Sequence, residues 1–161
     1  MLSEKILINL NKQINKEVYS EYLYLSMAAY ADYNGLPGIA NWFKKQASEE
    51  HSHALKIYDF IYDKGGRVTL EAIDKPKTDF SSIKQLFEMS FEHEKYVTAS
   101  INELMDIAIS ENDHSVTNFL RWFVEEQVEE EASVNAILDK FAYMKTDGMG
   151  MLMLDRELSE R

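Results

Sequence analysis

The 161-residue chain is 45% hydrophobic and 12% aromatic, enough to bury a sizeable core in one domain covering residues 1–161. Its 28 acidic side chains against 17 basic ones leave a net charge of −11, a field that repels nucleic acid and draws cations. Zero cysteines exclude disulfides and thiolate metal sites and suit a reducing, cytoplasmic setting; the start MLSEKILINL lacks a basic leader, and no run approaches the roughly 18 apolar residues that a membrane-spanning helix needs.

Only 6 Gly and 2 Pro point away from a turn-rich β fold, and four long segments carry apolar residues at alternating three- and four-residue steps. All four read as helices. The first is expected from about Ser3 to Tyr33, ending at Asn34-Gly35; the second starts at Pro37, a residue suited to the first helical position, and ends at Gly65-Gly66. The third begins near Ser81 or Ser82, the latter with Gln85 three residues on as a capping box. The fourth follows Asp113 and ends before Gly148, which closes a bundle over residues 3–144, and Met149 to Leu158 reads as a short fifth helix.

Link lengths then limit the topology. The short links between first and second helices, and between third and fourth, make two antiparallel hairpins. Residues 66 to 80 are different. A loop of about 15 residues reaches roughly 50 Å when extended, whereas a helix of about 28 residues is roughly 42 Å long, so this loop can cross the whole bundle. The expected fold is all-α, a four-helix bundle with one long crossover.

The core-facing line of each helix is apolar at its ends and polar in the middle. In the first helix it runs Ile6, Leu10, Gln13, Glu17, Ser20, Tyr24, Met27, although Leu7 and Ile14 allow a line shifted by one position. The second gives Ile39, Phe43, Gln46, Glu50, His53, Ile57, Phe60; the third gives Ile83, Phe87, Ser90, Glu94, Val97, Ile101, Leu104. The fourth gives Val116, Leu120, Phe123, Gln127, Glu130, Val134, Ile137, Phe141. Glu17, Glu50, Glu94 and Glu130 all fall close to the midpoints of their helices, so they meet at one level of the bundle. Four carboxylates and an imidazole cannot share a low-dielectric layer unless protons or cations neutralise them. A pair of metal ions does so, and oxygen-rich ligation with one nitrogen suits iron or manganese better than structural zinc. The competing reading is a bundle whose buried polar layer merely fixes register.

Other residues carry less. Glu126 and Glu129 form a stripe beside the seam, matched by Glu49 on the second helix, and taken alone these three read as a solvated face. Tyr24 reads as a satisfied core tyrosine, Trp122 as packing, and Gln127 as a hydrogen-bonding neighbour of the acidic layer. His51, His93 and His114 lie off the seam and are expected to face solvent, and the methionines at 149, 151 and 153 to pack the short helix.

These motifs carry a resemblance that covers essentially the whole chain. Glu17 in NKEVYSEYLYL, Glu50 and His53 in SEEHSHAL, Glu94 in FEHEK, the run FLRWFVEEQVEEE and the tail MLMLDRELS are together similar to prokaryotic non-haem ferritins. The resemblance implies a ferritin-like bundle with a ferroxidase centre: Glu17, Glu50 and His53 around one iron, and Glu50, Glu94 and Glu130 around the other. It puts Gln127 beside the second iron, Tyr24 hydrogen-bonded near the centre as an electron donor with Trp122 close by, and a third iron site at Glu49, Glu126, Glu129 and Glu130. Iron storage follows, with ferrous ions oxidised by O2 or H2O2 inside a hollow octahedral cage of twenty-four subunits, and the short fifth helix lining the fourfold axes. An oxidase or peroxidase of the rubrerythrin kind is the rival use of such a site, though zero cysteines remove any rubredoxin-like donor from this chain. Miniature ferritins set their metals between subunits, unlike this within-chain seam.

Three departures bear on the expectation. Gln127 and Glu130 stand where bacterioferritins carry a second Glu-x-x-His pair, which argues for storage over a permanent di-iron cofactor. His51 occupies the place of the haem-binding methionine, so no haem is expected. Thr117 and Leu120 replace the acidic pore residues of animal-type ferritins, with Glu111 and Asp113 as the nearby substitutes.

Overall fold

The computed structural model describes residues 1–144 and 148–161. Its helices are α1 (Glu4–Tyr33), α2 (Pro37–Asp63), α3 (Ile83–Ser110), α4 (His114–Tyr143) and α5 (Gly148–Leu158), with no strand among the described residues. The expected boundaries hold to within two residues, because each end has a local chemical cause. Ser3 Oγ accepts from the Ile6 amide at 3.1 Å, and Ser82 Oγ accepts from the Gln85 amide at 3.1 Å while the Gln85 side chain reaches back to the Ser81 amide. Asp113 accepts from the amides of Ser115 and Val116 at the start of α4. The α1–α2 turn closes through Gly35 at φ 75°, a backbone region that costs glycine nothing.

Two hairpins, α1 with α2 and α3 with α4, pack side by side, with α1 also against α3. The crossover runs along α1 and ties itself down by its backbone. Asn11 bonds to Arg67 and Thr69, Asn15 to Ala72, and Ser26 to the Lys77 carbonyl. Asparagine and serine on the outer face of α1 thus satisfy loop groups that would otherwise depend on water.

The interior has three levels. One apolar cluster, with Tyr24, Met27, Phe43 and Phe87, fills the end nearest α5; the other, with Leu10, Ile57, Ile101 and Phe123, fills the opposite end. Between them lies a buried polar layer contributed by α1 to α4. The seam residues are buried except Phe60 and Phe141, which are half-buried; Phe60 instead stacks on Phe119 at 3.8 Å between centroids. No described helix is long and apolar enough to cross a membrane.

α5 packs back on the start of α2. Leu36 caps α2 without a side-chain bond, and the missing acceptor comes from α5: Asp155 Oδ1 takes the Ile39 amide at 2.8 Å. Gly38 allows this approach, since a Cβ there would lie 1.8 Å from the Asp155 carbonyl oxygen.

Candidate metal centre

Glu17 from α1, Glu50 and His53 from α2, Glu94 from α3 and Glu130 from α4 are each no more than 4% exposed. Their helices bring them to one level because each lies near the middle of a rod of similar length. Glu50 and His53, three residues apart, share a face of α2. His53 Nδ1 lies 3.5 Å from Glu50 Oε2 and 3.9 Å from Glu17 Oε2. Donor atoms of Glu17, Glu50 and His53 all fall within 4.8 Å of one another, close enough to share a cation. The other imidazole nitrogen, Nε2, faces Glu126 Oε1 at 3.8 Å, and His53, Glu126 and Glu130 make a second group of the same kind. His53 therefore stands between two anionic clusters.

Glu94 lies outside both groups and is held by hydrogen bonds. The Tyr24 hydroxyl donates to its Oε1, and Gln127 Nε2 donates to its Oε2 at 3.1 Å. Gln127 is steadied in turn by Thr98, whose hydroxyl accepts from Nε2 and donates to Glu131 at 2.6 Å. Gln13 Nε2 donates to Glu17 Oε1 at 2.6 Å, and Gln46 Nε2 to Glu130 Oε2 at 2.7 Å.

The electrostatics follow from this crowding. Burial pushes Glu94 up to about 7, against the pull of the Tyr24 and Gln127 donors. Burial and the Glu94 charge push Glu130 up to about 8. Glu50 is raised too, by burial and then by Glu17, Glu94 and Glu130, and burial with the charges of Glu94, Glu50 and Glu130 raises the Tyr24 phenol. Without cations this layer holds protons at neutral pH. Gln46 Oε1, in the same layer, is the buried side-chain polar atom without a hydrogen-bond partner among the described residues. An acceptor left over in an acidic pocket fits a site for positive ions.

The flank residues are more dispersed. Glu126 is half-buried against His53, Glu129 is exposed, and Glu49 Oε2 accepts from Arg161 Nη2 at 2.6 Å. Donor atoms of Glu49, Glu126 and Glu129 do not gather into one group among the described residues. Trp122 meets His53 edge-on at 5.3 Å. His51 and His114 are exposed as expected, but His93 is not solvent-facing. It is half-buried, bonded to Ser20 Oγ at 2.7 Å, and burial lowers it to about 4. One residue from a seam position, a side chain turns about 100° and here meets the neighbouring helix α1 instead of water. The supports at Thr98, Glu131 and Arg161 had no signal in the sequence, whereas Gln13 and Gln46 each precede a seam glutamate by four residues and were legible on the seam.

Fold and site together define a four-helix-bundle protein with carboxylates and an imidazole buried in one layer, their donor atoms close enough in two groups to share a cation. Residues 8–144 match the family described as Ferritin-like domain. The chain is 40% identical to a probable bacterial non-heme ferritin-like protein of Haemophilus influenzae, over 98% of this chain and 96% of that one. It is also 40% identical to the bacterial non-heme ferritin of Bacteroides fragilis, over the full length of both. Among solved structures, an open pore ferritin from the hyperthermophilic archaeon Archaeoglobus fulgidus superimposes with a TM-score of 0.99 at 48% identity, covering 100% of this chain and 99% of that one. The chain belongs to the ferritin family, and its function is iron storage coupled to oxidation of ferrous iron.

Proposed function

We propose that each chain binds two ferrous ions in the buried layer as substrates and oxidises them as a ferroxidase. Glu17, Glu50 and His53 hold the first ion; Glu130 and Glu94 hold the second, with Glu50 between the two. The observation that carries this is the burial of four carboxylates and one imidazole at a single level, a cost that cations offset. Hard anionic oxygens favour the ferric product, and the scarcity of nitrogen ligands keeps that product mobile. Two ferrous ions supply two electrons, enough to reduce dioxygen to peroxide or peroxide to water.

Gln127 and Tyr24 act at the second ion. The Tyr24 hydroxyl on Glu94 supports a role as electron donor, and the Gln127 amide on the same carboxylate supports one in orienting it. Glu49, Glu126 and Glu129, with Glu130, form the outer third site through which ferric iron leaves for the mineral. The chain works as one domain in the cytoplasm, within a cage of twenty-four subunits. Exposed apolar side chains support the assembly, with Tyr22 and Leu25 on α1, Leu55, Tyr58 and Tyr62 on α2, and Leu152 on α5.

Ferrous titration in air tests the centre. A rapid oxidation phase is expected in the native protein and should be lost in Glu17→Ala and in His53→Ala; unchanged kinetics in both would remove the assignment. Iron loading separates storage from a redox enzyme, since a ceiling of about three atoms per chain means iron is retained as a cofactor.

A further inference from the structure

The tail beyond α5 returns to the outer edge of the centre. Asp155 is fixed on α2 by the Ile39 amide and the close approach at Gly38, and the Ser159 amide turns back onto the Asp155 carbonyl at 3.1 Å. This delivers Arg161 to α2. Its guanidinium lies 4.8 Å over the ring of Trp42, itself only 4% exposed, and Nη2 reaches Glu49 Oε2 at 2.6 Å. Gly38, Trp42 and Glu49 are spaced four and seven residues apart, so tail and carboxylate share one face of α2.

We propose that Arg161 is the built-in cation of the outer carboxylate cluster and competes with a metal ion for Glu49. The inference rests on the outer site assigned above. A guanidinium is a delocalised, always-charged donor that matches a carboxylate edge, so while it is docked one oxygen of Glu49 is engaged and a positive charge faces any incoming cation. Metal binding at Glu49 must release the tail, and by linkage the docked tail must weaken that metal by the same factor. Arg161 thereby sets the affinity of the outer site without touching the inner pair, and keeps iron from resting there.

Titration of the assembled, metal-free protein with Zn2+, a redox-inert probe, tests this by calorimetry. The native chain should show two tight ions, lost in Glu50→Ala, and one weaker ion. Arg161→Ala should tighten the weak ion about threefold, the scale of a partly exposed ion pair, and leave the tight pair unchanged, with Arg161→Lys in between. Hydrogen exchange supplies a second reading: protection of the segment after α5 should fall as the third ion binds, and should already be low in metal-free Glu49→Gln. Equal weak-ion affinity in the native and Arg161→Ala proteins overturns the proposal, as does a tail whose protection ignores the third ion, or the lack of any third ion in both. Absence of the tight pair would instead refute the inner centre.

Discussion

Glu50, Glu94 and Glu130 hold protons in the folded chain at pH values where an unfolded glutamate has lost them. Their folded pKa values lie above the ordinary 4.5, with Glu94 at about 7 and Glu130 at about 8. The native state then binds more protons than the unfolded state, so stability from these groups falls as pH rises between about 5 and 8. In metal-free protein the melting temperature should drop across that interval, and saturating Zn2+ should abolish the drop by replacing protons with a cation that binds the native state. A metal-free melting temperature that climbs over the same interval would contradict the buried, protonated layer. The same linkage makes metal binding release protons, more of them at pH 6 than at pH 9, which pH-stat titration measures.

At the scale of elements, the informative contact is between α5 and the start of α2. Pro37 and Leu36 start α2 without a side-chain cap, and Asp155 supplies one from 116 residues away. Asp155→Ala should cost about 1 kcal/mol, the usual value of a lost N-cap acceptor. Gly38→Ala is more severe, because the new methyl would overlap the Asp155 backbone and either helix must move. The expected loss is about 1–3 kcal/mol, with hydrogen exchange of α5 rising before that of the bundle. Denaturant unfolding of both variants checks these values; a Gly38→Ala protein as stable as the parent, with α5 equally protected, would mean that the close approach does not exist.

For the whole molecule, a net charge of −11 sets the kinetics of cation arrival. Anionic surfaces concentrate ferrous ions, and salt screens exposed charges over a Debye length of about 10 Å at 0.1 M. Raising ionic strength from low salt to about 0.5 M should slow the initial binding of ferrous iron severalfold while the oxidation step at the buried layer changes little; stopped-flow mixing separates the two. Particle size and the density of an iron core read the assembly itself: a hollow particle with a mineral centre is the expected outcome, and iron-saturated single bundles would exclude a cage.

The sequence by itself determined the helices, their ends and the level of the acidic layer, because these depend on periodicity, capping chemistry and link length, all local in the chain. Glu17, Glu50, His53, Glu94 and Glu130 were legible since a polar residue on an apolar seam stands out against the 3.6-residue period. What each carboxylate touches depends on how four rods are rotated about their axes, and local pattern carries no such angle. Only the tertiary structure decided that Tyr24 and Gln127 hold Glu94, that His53 divides two clusters, and that α1 covers His93. It alone brought Asp155 to the head of α2 and Arg161 to Glu49, contacts between residues more than a hundred positions apart.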